Sequence, residues 1–562
     1  MYENIGSPLR YYVDRGEQTH KENVDAFFDI LKGHAHVDEE QNAKTVAKYN
    51  EKQAEIASLQ GQISSSRKGR GWGIFGIIVL AIVLMVVFNA MGIPPAGVSA
   101  LCALTLVGAI VAIVLVCKKA GAKIRSMQTV ADGLQAQANA LQEQAFQQVL
   151  PILQLFTDFD GIKLVEKTFP HLAFDSFFSR ERLEELQTFG YNADVPSNQC
   201  TVDVLSGALY GAPLLIERRV AHQKGTKTYR GSLNISWQES YTDSNGNRQT
   251  RTRSQTLYAT VTKFAPYYTD IVKLHYGQDV KPELSFSRTG KDVHRKDEDD
   301  LERTLRSGEK KLQRKHDKEL KKGGDFTPLA NTKFEVLFGA TDRTDEIAFR
   351  YLFPFQAQES MLELILSNKG YGDDFDFYKY GKLNTIISDH AQYSSVFPKV
   401  YEYVSHDFKE IESKFKERNY AFFKGLFFDI APLIAIPSYQ QPLAQSTAKK
   451  DGELTPHVYQ IMARLLGKKT KPSNAETQVI YRTCLRNRAD GADIVETNAF
   501  AYRTENRTDY VSVLGGDGFH HNVPVDWIEY IPTERTTTMK VQRLDEDQEG
   551  TSYLGVSASI VS

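Results

Sequence analysis

The stretch Gly71–Cys117 reads GWGIFGIIVLAIVLMVVFNAMGIPPAGVSALCALTLVGAIVAIVLVC and contains no Asp, Glu, Lys, Arg or His. About 20 consecutive apolar residues are enough for a helix to cross the core of a bilayer. The stretch holds two such runs, 71–91 and 97–117, on either side of a short turn with two prolines. Both runs are apolar around the whole helix circumference, which is typical of lipid exposure. The sequence therefore predicts a transmembrane hairpin over residues 71–117.

Basic residues flank this hairpin on both sides, whereas its turn has no charge. They are Arg67, Lys68 and Arg70 before it and Lys118, Lys119, Lys123 and Arg125 after it. Basic residues next to membrane spans stay on the cytoplasmic side. The first apolar run begins about seventy residues into the chain, which does not fit a secretory signal. We therefore expect a multi-pass protein of the inner (cytoplasmic) membrane with both termini in the cytoplasm.

Polar helices are predicted on each side of the membrane segment, after an N-terminal helical region over residues 1–39. Stalk helix 1 (40–70) has a thin apolar stripe, and stalk helix 2 (118–150) repeats Met127, Leu134 and Leu141 at intervals of seven. Such narrow seams are typical of coiled coils. We expect an antiparallel coiled-coil stalk about 40 Å long that ends at Pro151. Alternatively, the two helices lie independently on the surface or pair between subunits.

The rest of the chain has the pattern of α+β cytosolic domains. We expect one domain over 151–390 and a second over 391–532, with residues 533–562 as a flexible tail. Alternating apolar residues predict antiparallel strands, with a hairpin turn at 243–246. The segments Lys333–Phe338 and Glu346–Phe353 are also predicted to be strands. The expected fold class is therefore a membrane-anchored α+β protein with antiparallel β-rich domains.

Three further elements are predicted in the C-terminal third. Apolar residues from Tyr401 to Phe415 favour a helix that ends near Asn419, and the apolar run Leu426–Pro437 is too short to span a membrane and indicates core. Thr455 and Pro456 are suited to the start of a helix that Gly467 would end. Gly515–Gly518 follows one predicted strand and precedes another, which favours a hairpin turn over a phosphate-binding loop.

Small residues within the spans suggest how the two helices could pack. Gly108 and Ala112 have the small-xxx-small spacing that lets helix backbones approach closely. The candidate packing residues are Gly73, Gly76, Ala100, Gly108 and Ala112. The alternative is that these small residues face lipid.

The segment 287–324 is predicted to be a charged helical insertion. Between Leu301 and Lys322 it has nine basic and four acidic residues, a net charge of +5, whereas the whole chain has −2. Such a segment can contact anionic lipid headgroups or an acidic partner. The candidate contact residues are Lys310, Lys311, Arg314, Lys315, Lys318, Lys321 and Lys322. The alternative is a solvated helix, and nucleic acid is disfavoured because no aromatic residues are interleaved for base stacking.

No catalytic, cofactor or metal motif is predicted. The four cysteines form no CxxC pair, which excludes a zinc-finger pattern. Gly467–Thr470 lacks the glycine spacing of a phosphate-binding loop, and the acidic stretch Asp373–Asp376 lacks the glycine and distal Glu of a calcium loop. The pairs at His34 and His36 and at His520 and His521 have no nearby Cys or His partner in sequence.

The hairpin, the strand pair at 204–217 and the block FEVLF…EIAFRYLFPF (334–355) resemble a family of uncharacterised bacterial membrane-anchored proteins. The resemblance covers residues 60–390 and implies a cytosolic β-rich domain without catalytic residues. We therefore expect a non-enzymatic scaffold or assembly protein with protein partners or a homo-oligomeric state. The alternatives are an oligomeric transport or channel accessory component and a membrane-tethered enzyme.

Overall fold

The computed structural model describes most of the chain. The described residues are 5–90, 95–242, 247–324, 326–367, 372–388, 396–442, 448–449, 452–489, 491–543 and 552–561. The predicted hairpin turn at 243–246 and part of the predicted turn between the spans, residues 91–94, lie outside these ranges.

Helices make up the N-terminal part of the chain and connect the strands of the remainder. In chain order the α-helices are α1 (Pro8–Tyr11), α2 (Glu17–Ala35), α3 (Glu39–Ala90), α4 (Pro95–Leu153), α5 (Asp160–Thr168), α6 (Arg180–Thr188), α7 (Glu298–Lys322), α8 (Thr332–Phe338), α9 (Glu346–Leu352), α10 (Phe355–Leu366), α11 (Phe408–Ile434) and α12 (Pro456–Leu465).

The strands form two antiparallel sheets. They are β1 (Leu172–Phe174), β2 (Gln199–Leu209), β3 (Ala212–Thr242), β4 (Arg248–Gly277), β5 (Ser285–Arg288), β6 (Phe375–Tyr380), β7 (Leu383–Ser388), β8 (Ile480–Ala489), β9 (Ala492–Leu514), β10 (His520–Arg543), β11 (Ser552–Tyr553) and β12 (Val556–Ile560). The strand orders are β1-β2-β3-β4-β7-β6-β5 and β11-β12-β10-β9-β8. The mixed helices and antiparallel sheets confirm the α+β class.

The chain divides into two compact units. Unit 1 comprises Met1–Val24, Asp158–Lys399 and Arg418–Ser562, and unit 2 comprises Asp25–Thr157 and Val400–Glu417. The expected boundary at residue 390/391 therefore does not separate two domains, since both sides contribute to unit 1. The physical reason is a shared core, in which residues from Ile5 to Val556 form one buried apolar cluster.

In unit 2, α3 and α4 pack side by side in opposite directions. A Cβ added at Gly73 would lie 3.8 Å from Val116 Cγ1, and Asn42 near the start of α3 bonds to Ala145 near the end of α4. The predicted stalk and span on each side of the turn thus form one continuous helix, because no proline interrupts them. Pro151 does not end α4, which continues to Leu153. The structure brings the two stalk segments together, and their coiled-coil geometry remains a prediction.

Aromatic residues of unit 2 pack together where α2, the end of α4 and the start of α11 meet. Phe156, which follows α4, stacks on Phe415 of α11 with ring centroids 5.1 Å apart. Phe28 of α2 lies 5.5 Å from the same ring, and Tyr403 lies 5.1 Å from it. Burial of such rings contributes apolar contact between these helices.

In unit 1, two long hairpins extend beyond their sheets. β2 pairs with β3 only as far as Ala221, and β7 pairs with β4 only over its last residues, Leu274–Gly277. The hairpin of β3 and β4 continues to the pair Thr242 and Arg248. The hairpin of β9 and β10 likewise continues beyond the residues that pair with β8 and β12.

The outer parts of these hairpins pack face to face. A small apolar core lies between them, formed by Ile235, Leu257 and Ala259 with Val523 and Val525. We call this two-layer structure the β-arm, comprising His222–Thr242, Arg248–Tyr268, Arg503–Leu514 and His520–Thr538. At about 3.3 Å per residue, its first strand segment is about 65 Å long.

Two predicted strands are helices in the structure. The segment Lys333–Phe338 lies in α8, where Asn331 Oδ1 accepts a hydrogen bond of 3.1 Å from Phe334 N and Gly339 ends the helix with φ +76°. Glu346–Leu352 is α9, capped by Asp345 Oδ1, which accepts from Ala348 N at 2.7 Å. Short apolar runs have no periodicity that separates buried helix from buried strand. The Asn and Asp caps were the overlooked signal.

The C-terminal predictions need two corrections. The predicted flexible tail includes the end of β10, and β12 pairs with Met539–Arg543, so these segments are ordered by backbone hydrogen bonds. The predicted helix near Tyr401 begins at Phe408 and continues past Asn419 to Ile434. It thereby includes most of the run Leu426–Pro437, whose apolar residues are buried as expected of core.

Candidate functional site

The most apolar parts of α3 and α4 lie on the surface. Both helices are long and apolar enough to cross a membrane, and no residue in the most apolar 18-residue segment of either helix is buried inside the protein. The exposed side chains include Trp72, Leu80, Leu104 and Leu106. A contiguous exposed apolar surface of this size is costly in water, and it marks a membrane or partner contact.

The small residues of the spans lie on different faces. Gly73 points toward Val116 of the other helix, and Ala112 is half-buried. In contrast, a Cβ added at Gly76 or Gly108 would meet no atom within 4 Å. Ala100 is also exposed. The structure therefore brings Gly73 to the side where the helices meet, leaves Ala112 partly exposed, and leaves Ala100, Gly76 and Gly108 open to lipid or to another chain.

Helix α7 contains the predicted basic residues and packs on α8 through one face. Leu312 is buried, and a Cβ at Gly308 would lie 2.3 Å from Val336 Cγ1, so only glycine permits this close approach. Lys315 turns inward, where its ammonium donates to Thr341 O and lies 4.2 Å from the Phe326 ring centroid. The six remaining predicted residues are exposed: Lys310, Lys311, Arg314, Lys318, Lys321 and Lys322.

The β-arm is held together by polar contacts as well as by its apolar core. Lys263 Nζ on β4 lies 2.7 Å from Asp509 Oδ2 on β9, and Trp527 Nε1 donates to the other Asp509 oxygen at 2.9 Å. Near the tip, Gly516 N donates to Gln255 Oε1 at 2.7 Å. These contacts fix the register of one hairpin over the other.

Glycine at position 231 sets the distance between the two layers. A Cβ there would lie 1.9 Å from Pro524 O and 2.9 Å from Val525 Cα, both backbone atoms of β10. Backbone atoms cannot move aside as a side chain does, so the layers can approach this closely only at a glycine.

The surface of the β-arm has two properties of a protein-binding element. Aromatic side chains are exposed on it, including Tyr258 (54%) and Tyr510 (69%), and Phe519 (70%) is exposed in the turn between β9 and β10. In the described residues each layer has only two strands over its outer length, so each strand has an open edge. Open strand edges can pair with an extended segment of another protein. The β-arm was not among the elements predicted from the sequence, although the long alternating segments around residues 243–246 indicate it.

A buried polar cluster lies at the base of the hairpin of β3 and β4. Glu217 accepts a hydrogen bond of 3.0 Å from Tyr191 OH and pairs with Arg219 at 2.8 Å and His275 at 3.2 Å. Burial alone would raise the pKa of Glu217, but the hydrogen bond and charge of His275 and the charge of Arg219 outweigh it and hold that pKa well below its usual range. Burial lowers the pKa of nearby His457 to about 4.

This cluster contains acidic and basic side chains, but all of them are buried or nearly so. The side chains of Arg219, Glu217, His275 and His457 are exposed by 10% or less. Buried charges of this kind need one another as partners, since removing one leaves an uncompensated charge in the core. The cluster therefore joins β3 and β4 to Tyr191, which follows α6, and to α12. In the sequence, this cluster is indicated by the acidic Glu217 and the basic Arg219, which lie two positions apart on β3.

The motifs that were weighed for metal or phosphate binding have structural roles. Gly515–Gly518 connects β9 to β10 as a hairpin turn, with Gly515 N donating to Phe519 O at 2.8 Å. Asp373 is buried against Arg288. His521 bonds to Asp517 at 2.9 Å, and His520 bonds to Ser512. Within the described ranges, no group of three or more His, Cys, Asp or Glu residues is placed to hold a metal ion.

Compared with known proteins, this chain matches no family model, no curated protein and no solved structure. Its surfaces must therefore be interpreted from their own chemistry.

Proposed function

We propose that this protein is a non-enzymatic scaffold anchored in the cytoplasmic membrane of a bacterium by α3 and α4. The observation that supports anchoring is that no residue in the most apolar part of either helix is buried inside the protein. In water these surfaces would favour aggregation, whereas in a bilayer they contact lipid tails of the same polarity. The turn between them is too short for a domain, so both helices would cross the same membrane in opposite directions.

Anchoring is tested by fractionation of cells that express the full chain. We expect the protein in the membrane pellet after alkaline carbonate extraction and in solution after detergent. A charged residue near the centre of a span costs about 3 kcal/mol of insertion free energy. The double variant Leu80→Arg, Leu106→Arg should therefore shift protein to the carbonate-soluble fraction.

The matched control is Leu320→Arg, which changes an exposed leucine of α7 in unit 1. It should stay in the membrane pellet as the wild type does. Extraction of the wild-type chain by carbonate would contradict anchoring by α3 and α4.

The partner-binding element of the scaffold is the β-arm. Its first hairpin (222–268) has seven basic and two acidic residues, whereas the opposite hairpin segment (501–538) has three basic and six acidic residues. Opposite charges across the arm agree with the contact between Lys263 and Asp509. The outer face of the basic hairpin, with Tyr258 and Arg230 stacked at 4.3 Å, is suited to an acidic protein surface.

Partner binding is tested with a photo-crosslinking amino acid at Tyr258 in living cells. We expect a crosslinked product of defined mass, and its loss in the variant Lys224→Gln, Lys227→Gln, which removes two exposed charges of the same hairpin. The control position is Tyr380 on β6, which is similarly exposed but lies outside the arm. Equal products at both positions, or no effect of the charge change, would contradict an arm-specific interaction.

A further inference from the structure

A groove in unit 1 lies between the first half of α7 and the segment that precedes it. Its volume is about 500 Å³, and Lys291, Lys296, Arg303 and Lys311 line it together with Ser307. This volume lies within the range of small-molecule sites. Of these four residues, only Lys311 is among the seven candidate contact residues predicted from the sequence. The fold brings Lys291 and Lys296 next to Arg303 and Lys311 of α7.

Lys291 is held at the groove by a rigid loop. Its backbone N donates to Asp373 Oδ2 at 2.9 Å, and Val293 N donates to the same oxygen at 3.1 Å. Asp373 is itself fixed by its buried ion pair with Arg288. The loop that presents Lys291 is therefore anchored in the core of unit 1.

The ammonium group of Lys291 lies against α8 and Gly339, although the residue as a whole is exposed. It donates to Val336 O near the end of α8 at 3.1 Å, and a Cβ at Gly339 would lie 2.4 Å from Nζ. Enclosure lowers the pKa of Lys291, and the charges of Arg288, Lys311 and Lys296 lower it further. The local potential is thus positive.

Acidic residues do not balance this charge. Among the residues that the structure describes, Asp300 is the one carboxylate that lines the groove, and it pairs with Arg303 at 3.0 Å. Lys296 Nζ donates to the neutral Thr304 Oγ1 at 2.8 Å. Three of the four cations therefore have no carboxylate within the lining.

We propose that this groove is a binding site for a phosphate group, in which Lys296, Arg303 and Lys311 contact the phosphate oxygens and Ser307 donates its hydroxyl. Phosphate suits the site because it offers several oxygens to converging charged donors. The phosphate could belong to a soluble phosphorylated molecule or to a lipid headgroup. The lipid source rests on the proposed membrane anchoring, whereas the soluble source does not.

The test measures the acylation rate of each lysine in the full-length protein by mass spectrometry. The first arm uses protein in non-ionic detergent with inorganic phosphate, against chloride at equal ionic strength. The second arm uses nanodiscs of phosphatidylcholine with or without phosphatidic acid. We expect slower acylation of Lys296 and Lys311 in at least one arm, and unchanged rates at the exposed Lys163 and Lys167 of α5. Protection in the first arm indicates a soluble ligand, and protection only with phosphatidic acid indicates a lipid.

Two charge-matched variants complete the test. Lys296→Gln, Arg303→Gln, Lys311→Gln removes groove cations, and Lys163→Gln, Lys167→Gln, Lys409→Gln removes the same charge from exposed positions outside α7. The first should weaken phosphate binding, measured by equilibrium dialysis, by about tenfold per cation. The second should leave it unchanged. Equal effects of both variants, or equal protection of groove and outer lysines, would show nonspecific attraction and overturn the proposal. An absence of protection in both arms would also overturn it.

Discussion

Single polar side chains hold the helices of unit 2 together. Asn42 is buried, and its Nδ2 donates to Ala145 O of α4 at 3.2 Å and to His406 O at 3.1 Å. Its Oδ1 accepts a hydrogen bond of 3.0 Å from Phe408 N, the first residue of α11. One amide thus satisfies buried backbone groups of two other elements, including a helix N-terminus that has no partner of its own.

Replacement of Asn42 by alanine should destabilise unit 2. It leaves the N–H of Phe408 at the start of α11 without its acceptor and removes two donated hydrogen bonds, and one unsatisfied buried group costs about 1–3 kcal/mol. We expect a lower midpoint of thermal unfolding in detergent. Asn139→Ala, at an exposed position of α4, is the control, and an equal midpoint for the two variants would contradict the role of Asn42.

His20 should make the stability of unit 1 dependent on pH. It is buried, bonded to Thr168 Oγ1 at 2.9 Å and to Asn419 O at 3.2 Å, and burial lowers its pKa to about 4. The ordinary pKa is about 6.5, so above pH 6.5 the imidazole is neutral in both states and its contribution is complete. Between pH 6.5 and 4 only the unfolded chain takes up the proton, so stability falls by up to about 1.4 kcal/mol per pH unit.

Denaturant unfolding across this pH range tests that expectation. The free energy of unfolding of His20→Gln should fall less steeply than that of the wild type between pH 6.5 and 4. His34→Gln, at an exposed position, should follow the wild type. Parallel curves for His20→Gln and the wild type would show that this histidine is not responsible.

At the scale of elements, the β-arm depends on the contact between its two layers. Gly231→Val should separate them, because its side chain would overlap the backbone of Pro524 and Val525. Overpacking of this kind costs about 1–3 kcal/mol. We expect faster proteolysis within the arm and a weaker crosslink from Tyr258. The neighbouring exposed position serves as control in Ser232→Ala, and equal proteolysis of the two variants would argue against a packed arm.

The spans offer a second prediction at this scale. Gly108→Leu should leave the contact between α3 and α4 intact, because no atom lies within 4 Å of a Cβ at this position. If Gly108 packs against another chain, the variant reduces the oligomer mass in detergent. Gly73→Leu, next to Val116, should instead lower thermal stability. Unchanged mass in Gly108→Leu would assign that face to lipid, and a ring-shaped wild-type oligomer would favour the transport alternative.

At the scale of the whole molecule, the charge asymmetry around the hairpin determines the expected topology. Seven basic residues flank the two spans and none lies in the turn. Reporter fusions at residue 1 and at residue 562 should therefore both report the cytoplasm. A periplasmic signal from either fusion would contradict a two-span hairpin. Fusion at Gly92, in the turn, should report the periplasm and serves as the internal control.

The sequence by itself was sufficient for features that depend on local chemistry. An uncharged stretch from Gly71 to Cys117 specifies two long apolar helices, because its length and composition leave few other stable structures. The turn at Gly515–Gly518 and the helix that begins at Pro456 likewise follow from glycine and proline conformational preferences. The antiparallel strand character of β3, β4, β9 and β10 was also visible as alternation.

Only the tertiary structure decided which distant segments meet. The pairing of two hairpins about 260 residues apart in the β-arm depends on the close approach at Gly231, which no local pattern encodes. The groove that joins Lys291 to Lys311 depends on Gly308 and on the anchored loop at Asp373. Lys333–Phe338 was predicted as a strand because burial removes the alternation that distinguishes strand from helix, and only its Asn331 cap indicated a helix locally. Apolar length and turn chemistry are local properties, whereas packing between distant elements is a property of the folded chain.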